Sequence, residues 1–446
     1  MSQRFVMVGS GIAALAAAES LRRLEPHADI IMVSEEAHPF YSRPGLAYLL
    51  RGDIPEKQLF LRTKADLAEL KVQRVDARVE QLDCARHELI LPQGKRLGYD
   101  RLLLATGALA APPTMPGGDL AGVVKLDCLD DARQILKLAR RGKRAVVIGG
   151  GITALEIVEG LAARRVGVHY FLRGDRYWGD VLDEVESGIV MNRLRHDGVI
   201  LHTQTQVQQA IGQRGQLTAV ETMAGETVPC QILAVAIGVR PRIELAKQAG
   251  IKVDRGIVVD PMMQTSAADV FAAGDVAEVH DPRGGPPLRD VLWPTALRQG
   301  QVAGANMAGA TTSYIKGSPM NVTQLTGLKV TIIGNVGTTK GGEPPKDKDL
   351  LMIARGESET WRLLPKSWVL SERDDVNRVR LVIGEDRIVG ALVMGDQTWS
   401  RPLQQLVAGG ADITPIRDVL QAGGPASLQQ LASFYKQWLA GPRREV

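Results

Sequence analysis

The sequence is poor in cysteine, with only Cys84, Cys128 and Cys230 among its 446 residues. No two of them form a C-x-x-C motif, so neither a disulfide scaffold nor a cysteine-rich zinc site is expected. We expect all three thiols to be buried or incidental. Scarce, unpaired cysteine is typical of a reducing compartment, and the sequence therefore predicts a cytoplasmic protein without a metal site.

Long apolar runs and a strong excess of one charge are also missing. No run reaches the ~18 apolar residues of a membrane-spanning helix, and the first residues lack the basic and apolar regions of a signal peptide. The 54 Lys and Arg residues stand against 50 acidic ones, and this net charge of +4 does not suggest nucleic-acid binding. The composition is that of an ordinary globular protein, and the length predicts roughly three domains.

What the chain does contain, close to its start, is a glycine turn between two apolar runs. Residues 5–8 form the first run, and residues 30–33 form the second, which leads to Glu35. The motif G-x-G-x-x-G/A between them consists of Gly9, Gly11 and Ala14. In this arrangement the glycines permit a tight turn and a close approach to a pyrophosphate, and the acid accepts hydrogen bonds from a ribose. The stretch predicts a dinucleotide-binding βαβ unit rather than a turn that binds nothing.

The same pattern recurs in the middle of the chain. The second glycine turn consists of Gly149, Gly151 and Ala154. Each unit also ends in an apolar run with a terminal glycine, which is Gly107 in the first unit and Gly238 in the second. Two units in matching register predict two bound dinucleotides.

These motifs predict an α/β fold class with two Rossmann-like dinucleotide-binding domains and a C-terminal α+β domain. The proline-rich stretch 111–118 is a candidate boundary. The predicted segments are residues 1–115 and 242–312 for the first dinucleotide domain, 116–241 for the second and 313–446 for the C-terminal domain.

The C-terminal domain is expected to have its own core. It contains a charged insertion at 341–349 and a predicted hairpin that turns at 384–386. Residues 428–439 place five apolar or aromatic side chains on one helical face. We expect this face to pack in a core or a dimer, with contact to a membrane surface as a less favoured alternative.

The order of the motifs resembles the two-dinucleotide flavoprotein reductases over roughly residues 4–310. These are the pyridine nucleotide-dependent FAD oxidoreductases, which include ferredoxin, rubredoxin and nitrite reductase flavin units. The resemblance implies FAD in the first domain, held by Gly9, Gly11, Ala14, Glu35, Ser42, Arg43, Pro44, Ala105, Thr106, Gly107, Gly274, Asp275, Trp293 and Ala296. It implies NAD(P)H in the second domain, held by Gly149, Gly151, Ala154, Glu156 and Gly238.

Two features depart from the family pattern. Its disulfide reductases carry a redox cysteine in the loop after the first acid, and residues 40–52 contain none. Electrons are therefore expected to leave directly from the flavin. In the second domain, Leu172 stands where NAD-specific members carry an acid, and Arg173 and Arg176 follow. These arginines are either solvated surface charges or partners of the 2′-phosphate of NADPH. We therefore expect the protein to use NAD(P)H, with a slight preference for NADPH.

The implied reaction is hydride transfer from the reduced nicotinamide to the flavin. We expect Glu156 to orient the nicotinamide and Arg43 to balance the charge of flavin or substrate. The favoured acceptor is a ferredoxin- or rubredoxin-type carrier protein. The alternatives are a flavin subunit of a nitrite- or nitrate-type reductase, an NAD(P)H oxidase, a quinone reductase, and an interaction protein that responds to NAD(P)H with incidental turnover. A homodimer or a subunit of a complex is expected.

Overall fold

We analysed a computed structural model of the chain. It describes residues 3–279, 288–338, 353, 355–362, 367–374 and 376–441. The charged insertion at 341–349 lies outside the described residues.

The first part of the chain contains eight strands and three α-helices in its described residues. They are β1 Arg4–Val8, α1 Ile12–Leu24, β2 Asp29–Ser34, α2 Gly45–Arg51, α3 Lys64–Glu69, β3 Val72–Asp76, β4 Gln81–Asp83, β5 Glu88–Leu91, β6 Lys95–Gly98, β7 Arg101–Leu104 and β8 Ala108–Ala110.

The next part follows the second glycine motif. It comprises β9 Val123–Val124, α4 Leu129–Leu138, β10 Arg144–Ile148, α5 Ile152–Ala163, β11 Gly167–Phe171, α6 Glu184–His196, β12 Ile200–His202, β13 Val207–Gln213, β14 Gln216–Thr222, β15 Thr227–Pro229, β16 Ile232–Val235 and β17 Val239–Pro241.

The remaining elements belong to two further parts. The third comprises α7 Glu244–Gln248, β18 Ile257–Val259, β19 Val270–Ala272, β20 Ala277–Val279 and α8 Trp293–Met307. The last comprises β21 Met320–Leu325, β22 Leu328–Gly334, β23 Trp368–Asp374, β24 Asn377–Ile383, β25 Ile388–Met394, α9 Ser400–Ala408, α10 Arg417–Ala422 and α11 Pro425–Ala440.

A five-stranded parallel sheet forms the first nucleotide unit. Its strand order is β19-β7-β1-β2-β3, so the third part of the chain returns to complete the sheet of the first. Phe5, Val6 and Met7 in β1 are fully buried, as a central parallel strand requires. Because parallel strands end at one edge, the residues after β1, β2, β7 and β19 lie close together.

Small residues allow helices α1 and α8 to pack tightly. A Cβ atom on Gly300 or Gly304 of α8 would lie 2.2 or 2.4 Å from the carbonyl oxygens of Ala13 and Ala17 in α1. Side chains larger than glycine at these positions would push the helices apart. The alanine-rich α1 therefore serves packing as well as helix formation.

A second parallel sheet forms the other nucleotide unit, with strand order β12-β11-β10-β16-β9. The two connections between the units, β8 and β17, pair with each other as antiparallel strands. The first sheet contains β1, β2, β3, β7 and β19, and the second contains β9, β10, β11, β12 and β16. On this basis we propose domain boundaries at 115/116, 241/242 and 312/313.

The last part of the chain forms an antiparallel sheet in the order β21-β22-β25-β24-β23. The predicted hairpin at 384–386 joins β24 and β25. In α11, Leu431 is fully buried in a core with α9 and α10. The rest of the predicted apolar face, namely Leu428, Phe434, Tyr435 and Trp438, packs against that core. The prediction of a core role for this face is confirmed.

The fold agrees with the predicted α/β class. In the described part of the chain, no helix is long and apolar enough to cross a membrane.

Candidate active site

The first glycine turn lies between β1 and α1. Gly9 has a φ of +118°, and a Cβ atom there would lie 2.2 Å from the carbonyl oxygen of Ala105, so only glycine fits. Gly11 is the N-cap of α1 and offers no side-chain cap, while Ala14 is fully buried. The N–H groups at the start of α1 therefore face open space, which is the arrangement that binds phosphate.

The second glycine turn repeats this geometry. Gly149 has a φ of +139°, and its added Cβ would lie 2.1 Å from the carbonyl oxygen of Ala236. Gly151 is the N-cap of α5, and Ala154 is fully buried. Gly238 also has a positive φ, +120°. Both units thus use one glycine for close contact with a neighbouring strand and a second to leave the helix start open.

One cavity of about 1140 Å³ opens in front of the first turn and reaches the start of α5. A single small-molecule site usually measures about 300–1,000 Å³, so the cavity has room for parts of two large ligands. Its wall includes the predicted residues Gly9, Gly11, Glu35, Arg43, Pro44, Ala105, Thr106, Gly107, Glu156, Gly274, Asp275, Trp293 and Ala296. The predicted residues outside the wall are Ala14, Ser42, Gly149, Gly151, Ala154, Arg173, Arg176 and Gly238.

Two carboxyl groups on the cavity wall, those of Asp275 and Glu156, have no hydrogen-bond partner among the described residues. Burial raises the pKa of Asp275. Burial also raises the pKa of Glu156 to about 8; Glu159 adds to the rise, and Arg51 and Arg355 oppose it. Both side chains are half-buried, and acceptors shielded in this way without donors gain from a ligand that supplies them. Asp275 and Glu156 are therefore placed to accept hydrogen bonds from a ligand in the cavity.

The predicted ribose acceptor, Glu35, forms an ion pair with Arg242. Arg242 also lies 3.8 Å from Asp127, whose side chain is only 3% exposed, and Asp127 accepts a hydrogen bond from Arg355. Glu35, Arg242, Asp127 and Arg355, which we call the charge row, thus alternate in sign along the cavity wall. The Nε atoms of both arginines are buried and have no hydrogen-bond partner in the part of the chain that the structure describes. A ribose bound to Glu35 would compete with Arg242.

Arg43 is held by groups of the protein. Its guanidinium donates to the Glu36 carboxylate and to the carbonyl oxygen of Asp127 at 2.7 Å. The Tyr41 hydroxyl donates to the same Glu36 carboxylate at 2.8 Å. Arg43 lines the cavity, but Glu36 already balances its charge.

Other predicted residues shape the backbone around the cavity. Ser42 Oγ accepts the first N–H of α2 at 3.2 Å, and Pro44 is the N-cap of that helix. Thr106 Oγ1 donates to the carbonyl oxygen of Arg242 at 3.0 Å, and the carbonyl of Gly107 accepts the N–H of Arg242 at 2.9 Å. Ser42 and Thr106 therefore fix loops through bonds to the main chain.

Helix α8 brings Trp293 and Ala296 to the cavity. The Trp293 ring lies 5.8 Å from the ring of Phe40, which ties α8 to the loop before α2. Gly274 has a φ of +83°, and its N–H donates to Gln299 Oε1 at 2.8 Å. The turn after β19 is therefore anchored to α8 beside Asp275.

The two arginines predicted to contact a 2′-phosphate differ in their surroundings. Arg173 is exposed to solvent. Arg176 is half-buried; it pairs with Asp175 at 3.2 Å and donates to the carbonyl oxygen of Gly179 at 3.3 Å. Arg173 is thus the more accessible of the two cations.

The three cysteines lie away from the cavity wall. All are free; Cys84 and Cys128 are half-buried and Cys230 is buried. Burial raises the pKa of each thiol, that of Cys230 to about 12. A protonated thiol is a poor nucleophile. Among the described residues, the cavity therefore has no wall residue suited to disulfide chemistry.

The sequence did not reveal Asp127, Arg242 and Arg355 of the charge row, nor the ion pair of Arg51 with Glu159. These residues belong to no motif, and they meet only through folding, since 228 positions separate Asp127 from Arg355. Only the position of Arg242 could have pointed to the site, because Arg242 follows the terminal glycine of the second unit, Gly238, by four positions.

The chain is similar to known oxidoreductases over most of its length. It is 31% identical to the 3-phenylpropionate/cinnamic acid dioxygenase ferredoxin–NAD(+) reductase component of Photorhabdus laumondii, over 80% of this chain and 91% of the relative. It is 27% identical to the NADH-dependent phenylglyoxylate dehydrogenase subunit epsilon of Aromatoleum evansii, over 93% of each chain.

A solved structure shares the fold. The covalent putidaredoxin reductase–putidaredoxin complex contains a chain that superimposes with a TM-score of 0.84 at 24% identity, covering 97% of this chain and 99% of the other. The family model for pyridine nucleotide-disulphide oxidoreductases matches residues 3–300. The chain belongs to the pyridine nucleotide-disulphide oxidoreductase family, and it is an NAD(P)H-dependent oxidoreductase whose cofactors are FAD and NAD(P)H.

Proposed function

We propose that this protein takes electrons from a reduced nicotinamide and passes them through FAD to a one-electron carrier protein of the ferredoxin or rubredoxin type. The observation that carries the proposal is a cavity shared by the two units, with two carboxyl groups that have no hydrogen-bond partner among the described residues, Asp275 in the first unit and Glu156 in the second. One cavity that serves both units lets two cofactors react in contact. The lack of a cysteine in its described wall favours an acceptor outside the protein.

The proposal gives a task to several residues of the cavity wall. FAD, when bound, supplies the chemistry that converts a two-electron donor into single electrons. The start of α1 and the backbone at Gly9 hold a pyrophosphate, and Asp275 accepts hydrogen bonds from hydroxyl groups. Glu156 orients the nicotinamide amide. Arg43 supports the loop beside the flavin through Glu36, and from its place on the cavity wall it also balances the charge of the flavin or substrate.

The type of acceptor can be tested with the purified protein loaded with FAD. We expect NADH or NADPH to reduce the bound flavin rapidly and a ferredoxin or rubredoxin to be reduced in steady turnover, much faster than oxygen or a quinone. Turnover with a quinone or oxygen alone would contradict the carrier proposal. A slow, long-lived reduced complex without turnover would instead support an interaction protein that responds to NAD(P)H.

A second candidate is the electron-entry subunit of a larger oxidoreductase. The match to a phenylglyoxylate dehydrogenase subunit favours it, because that match covers 93% of both chains and so includes the C-terminal domain. Isolation of the native protein under gentle conditions separates the candidates. A stable complex with other redox subunits supports the second, and a free homodimer supports the first.

The proposal also includes a cytoplasmic location and a homodimer or a place in a complex. Three free cysteines without a disulfide among the described residues support a reducing compartment.

A further inference from the structure

Oxidation of NADH by one-electron carriers releases a proton as well as electrons. The balance is one NADH and two oxidised carriers giving NAD⁺, one proton and two reduced carriers. The proton is set free within the cavity, and once both cofactors fill that space a group of the protein is needed to carry it to the water outside. This requirement rests on the proposed function, since a quinone or oxygen acceptor would take up protons.

Two carboxyl groups of α5 are placed to meet this requirement. Glu156 and Glu159 lie three positions apart on the helix, so their side chains are neighbours on one face. Glu156 lines the cavity. Glu159 lies beyond the cavity wall, where its carboxylate is 3.2 Å from Nη1 of Arg51. Arg51, which also lines the cavity, lies 2.8 Å from Asp53, which is outside the cavity wall and has a side chain 48% exposed. These residues lead from the cavity to the surface.

We propose that Glu156 and Glu159 form a proton exit path, in which Glu156 takes the proton within the cavity and Glu159 passes it to water beside Arg51 and Asp53. The proton moves from one carboxyl oxygen to the next, and no further reactant is required. Arg51 is a positioning residue here, because its guanidinium fixes the Glu159 carboxylate and cannot itself release a proton.

The charges around the pair suit a relay. The charged and titratable groups that face it are Arg51, Asp53, Arg355, Tyr170 and Tyr177. Burial raises the pKa of Glu156 to about 8 and that of Glu159 to about 7, while Arg51 limits both rises. Both protonation states are therefore populated near neutral pH, as proton transfer requires. Burial also raises the pKa of the two tyrosines, so they stay protonated.

The test uses the FAD-loaded protein, NADH and ferricyanide, a one-electron acceptor, in weak buffer with a pH-indicator dye. Rapid mixing follows flavin absorbance and proton release together. In the wild type we expect proton release to keep pace with ferricyanide reduction. In Glu159→Gln we expect the first reduction of the flavin by NADH to be nearly unchanged, and proton release, together with the ferricyanide turnover that is coupled to it, to be slower by about 10- to 100-fold. Added formate or imidazole should restore the rate, because a small acid can replace the lost carboxyl group.

Glu69→Gln is the matched control, because it makes the same substitution at an exposed carboxylate in α3. It should behave like the wild type. If proton release in Glu159→Gln keeps pace with the wild type, or if formate and imidazole have no effect, the exit path is wrong while the proposed function stands. If NADH and NADPH fail to reduce the flavin of the wild-type protein, the proposed function itself fails.

A second measurement does not depend on turnover. In the cofactor-free protein, the infrared band of a protonated carboxyl group should titrate near pH 8 and be absent from Glu156→Gln. In Glu159→Gln the band should titrate at lower pH, because the Glu159 carboxylate no longer disfavours ionisation of Glu156. An unchanged midpoint in Glu159→Gln would show that the two groups do not communicate, and it would overturn the proposal.

Discussion

Single atoms decide how the first glycine turn works, and the two glycines have different tasks. The added Cβ of Gly9 would meet the carbonyl oxygen of Ala105 at 2.2 Å, whereas the added Cβ of Gly11 would meet no protein atom within 4 Å. The first glycine is thus required by the protein itself. The second leaves space that, in our proposal, the ligand uses.

This contrast gives a prediction for two alanine variants. Gly9→Ala should lower the free energy of unfolding by about 2 to 4 kcal/mol, because both the positive φ and the backbone contact oppose a side chain. Gly11→Ala should unfold like the wild type without cofactor, yet bind FAD at least ~10-fold more weakly, a loss of about 1.4 kcal/mol. Urea unfolding and a fluorescence titration with FAD measure the two effects.

Gly188→Ala is the control, because this glycine in α6 also has open space around its added Cβ and lies outside the cavity wall. It should leave FAD binding unchanged. Normal FAD affinity in Gly11→Ala would contradict the assignment of this turn to a pyrophosphate.

The preference for NADPH or NADH depends in our proposal on one side chain, that of Arg173. Arg173 is exposed, so its guanidinium can reach a 2′-phosphate without breaking an existing contact. We expect Arg173→Ala to raise the half-saturating NADPH concentration about 10-fold, since a charge-assisted bond contributes roughly 1.5–3 kcal/mol, and to leave that of NADH nearly unchanged. Steady-state kinetics with both nucleotides measure this. Equal effects on the two would remove the preference for NADPH, and Arg86→Ala controls for the loss of an exposed arginine.

At the scale of the element, helix α5 carries two like-charged groups on one buried face. The pKa of Glu156 rises from an ordinary 4.5 to about 8 on folding. Between these two pH values the folded protein binds more protons than the unfolded chain. The contribution of Glu156 to the free energy of unfolding is therefore fully present below pH 4.5 and is lost as the pH rises through 8. The full shift corresponds to roughly 5 kcal/mol, of which water in the cavity removes a part.

We therefore expect cofactor-free Glu156→Gln to match the wild type in stability at pH 5 and to exceed it by about 2 to 3 kcal/mol at pH 9. Glutamine cannot ionise, so the variant avoids the cost of a buried charge. Urea midpoints measured from pH 5 to pH 9 test this. A difference that stays constant with pH would mean that Glu156 keeps an ordinary pKa. Glu69→Gln should show no pH-dependent gain.

Short local patterns in the sequence predict turns, hairpins and helix faces well. The glycine turns could be predicted because their cause is local: a positive φ at Gly9 and Gly149 and an open helix start are written in adjacent residues. The hairpin at 384–386 and the apolar face of α11 follow from short periodic patterns. The charge row could not be predicted, because a surface arginine and one that meets a buried carboxylate such as Asp127 have the same sequence pattern.

At the scale of the whole molecule, buried ion pairs join the C-terminal sheet to the second nucleotide unit. Arg380 in β24 donates to Glu186 in α6 at 2.9 Å. It also donates to the carbonyl oxygens of Val336 and Val181 at 2.8 and 2.7 Å. Arg380 is 2% exposed and Glu186 is fully buried. The sequence indicated a separate C-terminal core, but it gave no sign of this contact, because the partners are 194 positions apart.

We expect Arg380→Met to lower the free energy of unfolding by about 2 to 3 kcal/mol, because two carbonyl groups lose their donor and the buried Glu186 carboxylate keeps Arg378, at 3.3 Å, as its arginine partner. The control is Arg86→Met, which removes an exposed pair with Asp83 and should cost at most ~1 kcal/mol. Urea unfolding followed by tryptophan fluorescence measures both. Methionine retains most of the apolar volume of arginine, so a loss of this size would come from charge and hydrogen bonding. The double variant Arg380→Met, Glu186→Leu should recover part of the lost free energy of unfolding. Equal costs for Arg380→Met and Arg86→Met would show that water reaches Glu186, and the C-terminal sheet would then not depend on this pair for its position.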